Sequence, residues 1–176
     1  FAPVLDVATN PFNQVIGDRS FSANPQVVAR LAVQSIKGYE AANIMSCGKH
    51  FPGHGDTNAD SHDDFPYLAH TRARFDACEF IPFKAAIAAG VPAIMSAHIS
   101  VPQLDSQNIA SVSRNILSNI LRKQLKFNGL VVSDDLNMHG IAGLMSVPAA
   151  AEQAINAGSD LLLLRRDLST QQKTLE

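Results

Sequence analysis

The chain has 176 residues, 46% of them apolar, and a formal net charge of −2. That length suits one domain with a sizeable core, and the apolar share excludes a disordered chain. A charge so close to neutral gives no basic footprint for nucleic acid, and no apolar run reaches the ~18 residues that a membrane span requires.

Phe1–Leu5 is short and apolar and reads as a buried strand, with Asp6 directly after it. A Gly-bearing loop with Arg19 follows. Asn24-Pro25 then supplies an N-cap and a proline for the first helical position, and Val28, Ala32, Ile36 and Tyr39 recur at helical spacing. Ile44–Cys47 reads as the second strand. Pro82 opens a helix through Phe83, Ala86 and Ile87 that stops at Gly90, and Val91–Ala97 reads as the third strand, with His98 at its end. Ser113 caps a helix bearing Leu117, Leu121 and Leu125. Gly129–Ser133 is the fourth strand and runs into Asp134-Asp135. Pro148 starts an Ala-rich helix closed by Gly158, and Asp160–Leu164 is the last strand. Cys47 and Cys78 make no disulfide framework and read as reduced, buried thiols.

The strands lack clean alternation, as parallel strands buried on both faces do. Five βα units predict an α/β fold. A complete (β/α) barrel needs ~250 residues, so residues 1–176 fit a partial TIM-like barrel domain, about strands four to eight. An open doubly wound sheet is the competing architecture, but no Gly-rich phosphate turn follows a strand. A chain that starts and stops on core strands is expected to be a piece of a longer protein, with any targeting signal upstream of Phe1.

Titratable residues gather at the strand ends, which converge on one rim in a barrel. The densest group is Lys49-His50-Phe51-Pro52-Gly53-His54-Gly55-Asp56-Thr57, followed by Asp60-Ser61-His62. Asp60 and His62 stand two apart, so an extended loop puts both on one side. A carboxylate beside an imidazole orients the ring and favours its protonated form. Incidental charges on a solvated loop are the plain alternative. The histidines and aspartates of the motif could instead bind zinc, but Pro52 and Gly53 keep His50 and His54 off one helical face. Asp134 is placed for a nucleophile, or one member of Asp134-Asp135 caps the helix after the strand. Adjacent residues of an extended strand face opposite ways, so only one should meet a pocket. Arg19 and Lys49 could be surface cations, and His98 a structural histidine.

The motif from Lys49 to Thr57 with Asp60-Ser61-His62 resembles the signature of the β-N-acetylhexosaminidases of glycoside hydrolase family 3. Phe1-Ala-Pro-Val-Leu-Asp-Val7, Ile16-Gly-Asp-Arg-Ser-Phe21, Met95-Ser-Ala-His98, the stretch from Phe127 to Met138 and Ala157-Gly-Ser-Asp160 resemble further family segments, in family order. The resemblance implies a TIM-like barrel in which Asp134 is the nucleophile and His62 the general acid/base, with Asp60 as its partner. It also implies that Arg19, Lys49 and His50 hold sugar hydroxyls, and that no metal or cofactor is needed. The implied reaction is retaining hydrolysis of a terminal β-linked N-acetylglucosamine, as in muropeptides during peptidoglycan recycling, through a glycosyl-enzyme ester. An imidazole with an unperturbed pKa of ~6.5 can give and retake a proton near neutrality. A β-N-acetylglucosaminide phosphorylase and an inactive truncated fragment are the alternatives. The expected partners are the sugar and the missing barrel strands of the same protein. The expected location is cytoplasmic, with a secreted or lipoprotein form as the alternative.

Overall fold

The computed structural model describes residues 1–57, 66–165 and 168–175. Four strands, β1 (Cys47–Phe51), β2 (Ala93–Ser96), β3 (Leu130–Asp135) and β4 (Leu161–Leu163), form one sheet in that order, every neighbouring pair parallel. The opening segment extends the same sheet without forming a full strand. Val4 bridges Lys49 in parallel, and the Lys49 N–H donates to the Pro3 carbonyl at 3.1 Å. Sequential parallel strands with helices on one side form a section of a (β/α) barrel.

Helices α1 (Pro25–Ala41), α2 (Arg72–Ala77), α3 (Phe80–Ala88), α4 (Asn115–Gln124, wound as a π-helix), α5 (Val147–Ala157) and α6 (Leu168–Leu175) connect and cover the strands. Their ends follow local chemistry. The Asn24 side chain accepts from the Gln26 and Val27 N–H groups, and Ser113 Oγ accepts from the Ile116 N–H at 3.0 Å. Gly158, at φ 118°, closes α5 in a conformation that suits glycine. Helix α3 starts two residues before Pro82, which therefore sits in its first turn, where a missing N–H is harmless.

Along β2 and the first half of β3 alternate residues face opposite layers, while in β1 a register shift between Gly48 and Phe51 breaks the alternation. Ile94 of β2 and Val131 of β3 join Phe51, Phe80, Phe83, Ile116 and Leu121 in the main core between sheet and helices. Phe51 stacks on Phe80 at 5.6 Å between ring centroids and meets Phe83 edge-on at 5.1 Å. Leu162 of β4 packs outward with Ala150, Ala151 and Ala154 of α5. Cys47, Ala93, Met95 and Val132 line the opposite face, with Leu163 against them. That second layer is the inner wall of the barrel section, and it explains why the strands read as continuous apolar runs.

The second strand lies further along than the apolar run suggests. Ile44 and Met45 are 56% and 66% exposed, and the ladder with β2 begins only at Cys47, opposite Ala93. Pro92 precedes Ala93 and has no N–H to offer an earlier partner. Lys49 and His50 thus belong to β1 itself. The fourth strand likewise runs on through Asp134 and Asp135.

Candidate active site

Strands β1, β2 and β3 end at the same rim, carrying Lys49-His50, His98 and Asp134. Val132 faces the inner wall, and because the register with β4 shifts between Val132 and Asp135, Asp134 is placed beside that wall by the groups its charge reaches, Cys47, His54 and His98, rather than by plain alternation. Lys49 lies in the stretch of β1 where the register shifts, between Cys47 on the inner face and Phe51 on the helix side. The electrostatics agree with this placement. Burial pushes the Cys47 thiol up to about 11, with Lys49 acting to lower it and Asp134 to raise it. Lys49 and Asp134 therefore act on the same inner-wall group from two strands. His54 and His98 also feel the Asp134 carboxylate. Burial lowers both pKa values below the ordinary imidazole value, while Asp134 works in the opposite direction.

Asp135 faces away from this group. Its carboxylate accepts from the Asn137 N–H at 3.1 Å, the Asn137 amide at 3.0 Å and the Arg165 N–H at 3.2 Å. It ties down the turn after β3, which leaves Asp134 as the inward member of the pair. His98 holds this strand end from the side. Its Nε2 donates to the Asp135 carbonyl at 3.1 Å, so in the neutral ring Nδ1 accepts from Ser111 Oγ at 2.7 Å. With both nitrogens engaged, His98 is a structural histidine that braces β3.

His50 turns towards Asp6, its Nδ1 lying 2.7 Å from Asp6 Oδ2, while the His54 N–H donates to Asp6 Oδ1 at 2.7 Å. His54 Nδ1 lies 2.7 Å from Thr57 Oγ1, and Asp56 accepts from Thr9 Oγ1 at 2.7 Å and from His70 Nε2 at 2.6 Å. His50, His54 and Asp56 thus serve three separate contacts. Among the described residues no group of three His, Cys, Asp or Glu side chains converges as a metal site.

The loop holding Arg19 is stitched to the same rim. Ser20 Oγ donates to the Asp6 carbonyl at 2.7 Å, and Asn13 Nδ2 donates to the His54 carbonyl at 2.7 Å. Arg19 itself is exposed and its guanidinium donates to the Val15 carbonyl at 2.5 Å, within its own loop. Gly55 allows the two loops to meet, because a Cβ there would stand 2.0 Å from the Val7 carbonyl oxygen. The rim therefore unites Lys49, His50 and Asp134, while Arg19 is engaged within its own loop. Asp60 and His62 lie outside the described residues.

One group was read from sequence without its partners, and another was not read at all. Asp6 was visible as a carboxylate just past a core strand, but its partners are 44 and 48 residues away. Glu79, 2% exposed, pairs with Arg74 at 2.9 Å beside Asp56, and nothing in its own segment signalled that.

The model of the glycosyl hydrolase family 3 N terminal domain matches residues 1–176, and the chain belongs to that family. A β-hexosaminidase of Tolumonas auensis is 44% identical over 93% of this chain and 48% of its own length. The solved family 3 β-N-acetylglucosaminidase of Paenibacillus sp. str. FPU-7 superposes with a TM-score of 0.96 at 41% identity, over 99% of this chain and 34% of that one. NagZ of Neisseria gonorrhoeae, solved with N-trifluoroacetyl-D-glucosamine, gives a TM-score of 0.88 at 38% identity, over 99% of this chain and 50% of that one. The chain thus spans a third to a half of the length of these relatives. No helix among the described residues is long and apolar enough to cross a membrane.

Proposed function

We propose that this chain carries the catalytic strand ends of a retaining β-N-acetylglucosaminidase. Asp134 attacks the anomeric carbon, His62 protonates the leaving oxygen and later activates water, and Asp60 orients His62. Lys49, His50 and Arg19 hold the sugar hydroxyls, the Arg19 guanidinium exchanging its Val15 carbonyl contact for the sugar. The observation that carries the reading is that Asp134 of β3 and Lys49-His50 of β1 end at the same rim of one parallel sheet. The relatives named β-hexosaminidase and β-N-acetylglucosaminidase support the sugar. Muropeptides as substrate, peptidoglycan recycling and a cytoplasmic setting are the further part of the proposal. Further barrel strands, for which the longer relatives leave room, complete the pocket in this reading.

The test compares three variants of the full-length protein on an aryl and an alkyl N-acetylglucosaminide. Asp134→Asn abolishes turnover of both, because an amide cannot form the glycosyl ester. His62→Ala slows the alkyl substrate far more, since a phenolate leaves without a proton. Asp60→Asn costs less than Asp134→Asn. Near-normal rates in Asp134→Asn, or equal losses on both substrates in His62→Ala, would refute the assignment. Release of a sugar 1-phosphate in phosphate buffer would move the reaction to the phosphorylase alternative.

A further inference from the structure

The Asp6 side chain is 0% exposed and accepts three N–H groups. His54 N lies 2.7 Å from Oδ1, His50 Nδ1 2.7 Å from Oδ2, and His50 N 3.2 Å from each oxygen. Burial works to raise the pKa of this carboxyl, but His50 and His54 outweigh it, and the group stays ionised below the ordinary carboxylate range. An ionised carboxylate only accepts, so His50 Nδ1 is a donor. In the neutral ring the proton then sits on Nδ1, and Nε2 carries the lone pair.

We infer that Asp6 is a positioning residue acting through His50: it fixes the ring in the Nδ1–H tautomer, so that Nε2 meets a sugar hydroxyl as an acceptor. The inference rests on the reading of His50 as a sugar-binding residue. A purely mechanical role, tying the turn at His54 to the first strand end, is the competing account. Asp6→Asn separates the two. Its carbonyl oxygen can still accept from the His54 N–H. Its amide nitrogen stands where Oδ2 stood and donates, which drives the His50 proton to Nε2 and inverts what the ring offers the sugar.

The experiment is ¹⁵N NMR of the histidine rings in the full-length protein near pH 7.5, with the His50 signals assigned by their loss in His50→Gln, alongside steady-state kinetics on an aryl N-acetylglucosaminide. The neutral wild-type His50 ring should carry its proton at Nδ1, and the neutral Asp6→Asn ring at Nε2. A misdirected sugar contact should lower kcat/KM by about 100-fold, the order that a small misplacement produces. Most of the loss should lie in KM, because a hydroxyl contact serves ground and transition states alike. In a His50→Gln background, Asp6→Asn should cost less than about twofold more, since its effect passes through the absent ring.

A neutral wild-type ring with its proton at Nε2 overturns the inference without any variant having to fold. An undiminished Asp6→Asn penalty in the His50→Gln background also overturns it, in favour of the mechanical tie. If the wild-type protein turns over no N-acetylglucosaminide, the functional reading fails, and the tautomer measurement still decides what Asp6 does.

Discussion

Asp134 and Asp135 are chain neighbours with opposite orientations and different holds. Asp135 accepts three N–H donors from the turn after β3 and from Arg165, and they outweigh burial to keep its pKa below the usual carboxylate value. Asp134 takes the Asp135 N–H at 2.8 Å and otherwise faces the inner wall. Asp135→Ala should therefore lower stability by about 1.5–3 kcal/mol, the range for hydrogen bonds to a charged group. Asp134→Asn should stay within about 0.5 kcal/mol of wild type, as substitutions away from structural contacts do. Denaturant unfolding of the two variants checks this, and the reverse ranking would mean that the strand faces have been assigned the wrong way round.

At the scale of elements, β1 and the helices after it are joined by a polar cluster. Arg74 of α2 donates to Glu79 Oε1 at 2.9 Å and to Thr9 Oγ1 at 3.1 Å, and lies 4.0 Å from Asp56. Glu79 also packs against Gly53, where a Cβ would stand 2.9 Å from its side chain. The loop after the first strand, the turn after β1 and the α2–α3 junction thus share one charge network. A buried carboxylate that loses its partner is costly, whereas removing both charges can be close to neutral. Arg74→Met should destabilise the protein by about 2 kcal/mol or more. Adding Glu79→Gln to Arg74→Met should restore part of that loss. A double variant less stable than Arg74→Met alone would show that Glu79 is not held by this pairing. Urea melts of the single and double variants make the comparison.

For the whole molecule, buried titratable groups set the pH range of stability. Burial depresses the folded pKa values of His54 and His98, whereas the unfolded rings take protons near pH 6.5. Below about pH 6.5 the unfolded state therefore binds more protons and stability falls. Asp6 and Asp105 resist the effect of burial through their neighbours, His50 and His54 for Asp6, Ser113 and nearby N–H groups for Asp105, and end below the ordinary carboxylate value. Their contribution is complete above about pH 3.9 and is lost as pH falls through the lowered folded values. Melting temperature should thus drop in two stages on acidification. His98→Gln should flatten the upper stage between pH 8 and pH 5, and an unchanged slope would remove His98 from this account.

The same groups show what was legible in the amino-acid order. The caps at Asn24, Ser113 and Gly158 were readable, because a cap depends on atoms two to four residues away. The five apolar runs, and so the parallel βα architecture, were readable because each strand must be apolar on both faces. The inward carboxylate of the Asp134-Asp135 pair, the partner of His50 and the start of β1 were decided only in the tertiary structure. Ile44 and Met45 are as apolar as a strand requires, yet they find no ladder partner beside Pro92. Asp6 meets His50 across 44 residues. Strand register and buried hydrogen bonds are made with distant segments, and a local sequence holds no record of which segment will arrive beside it.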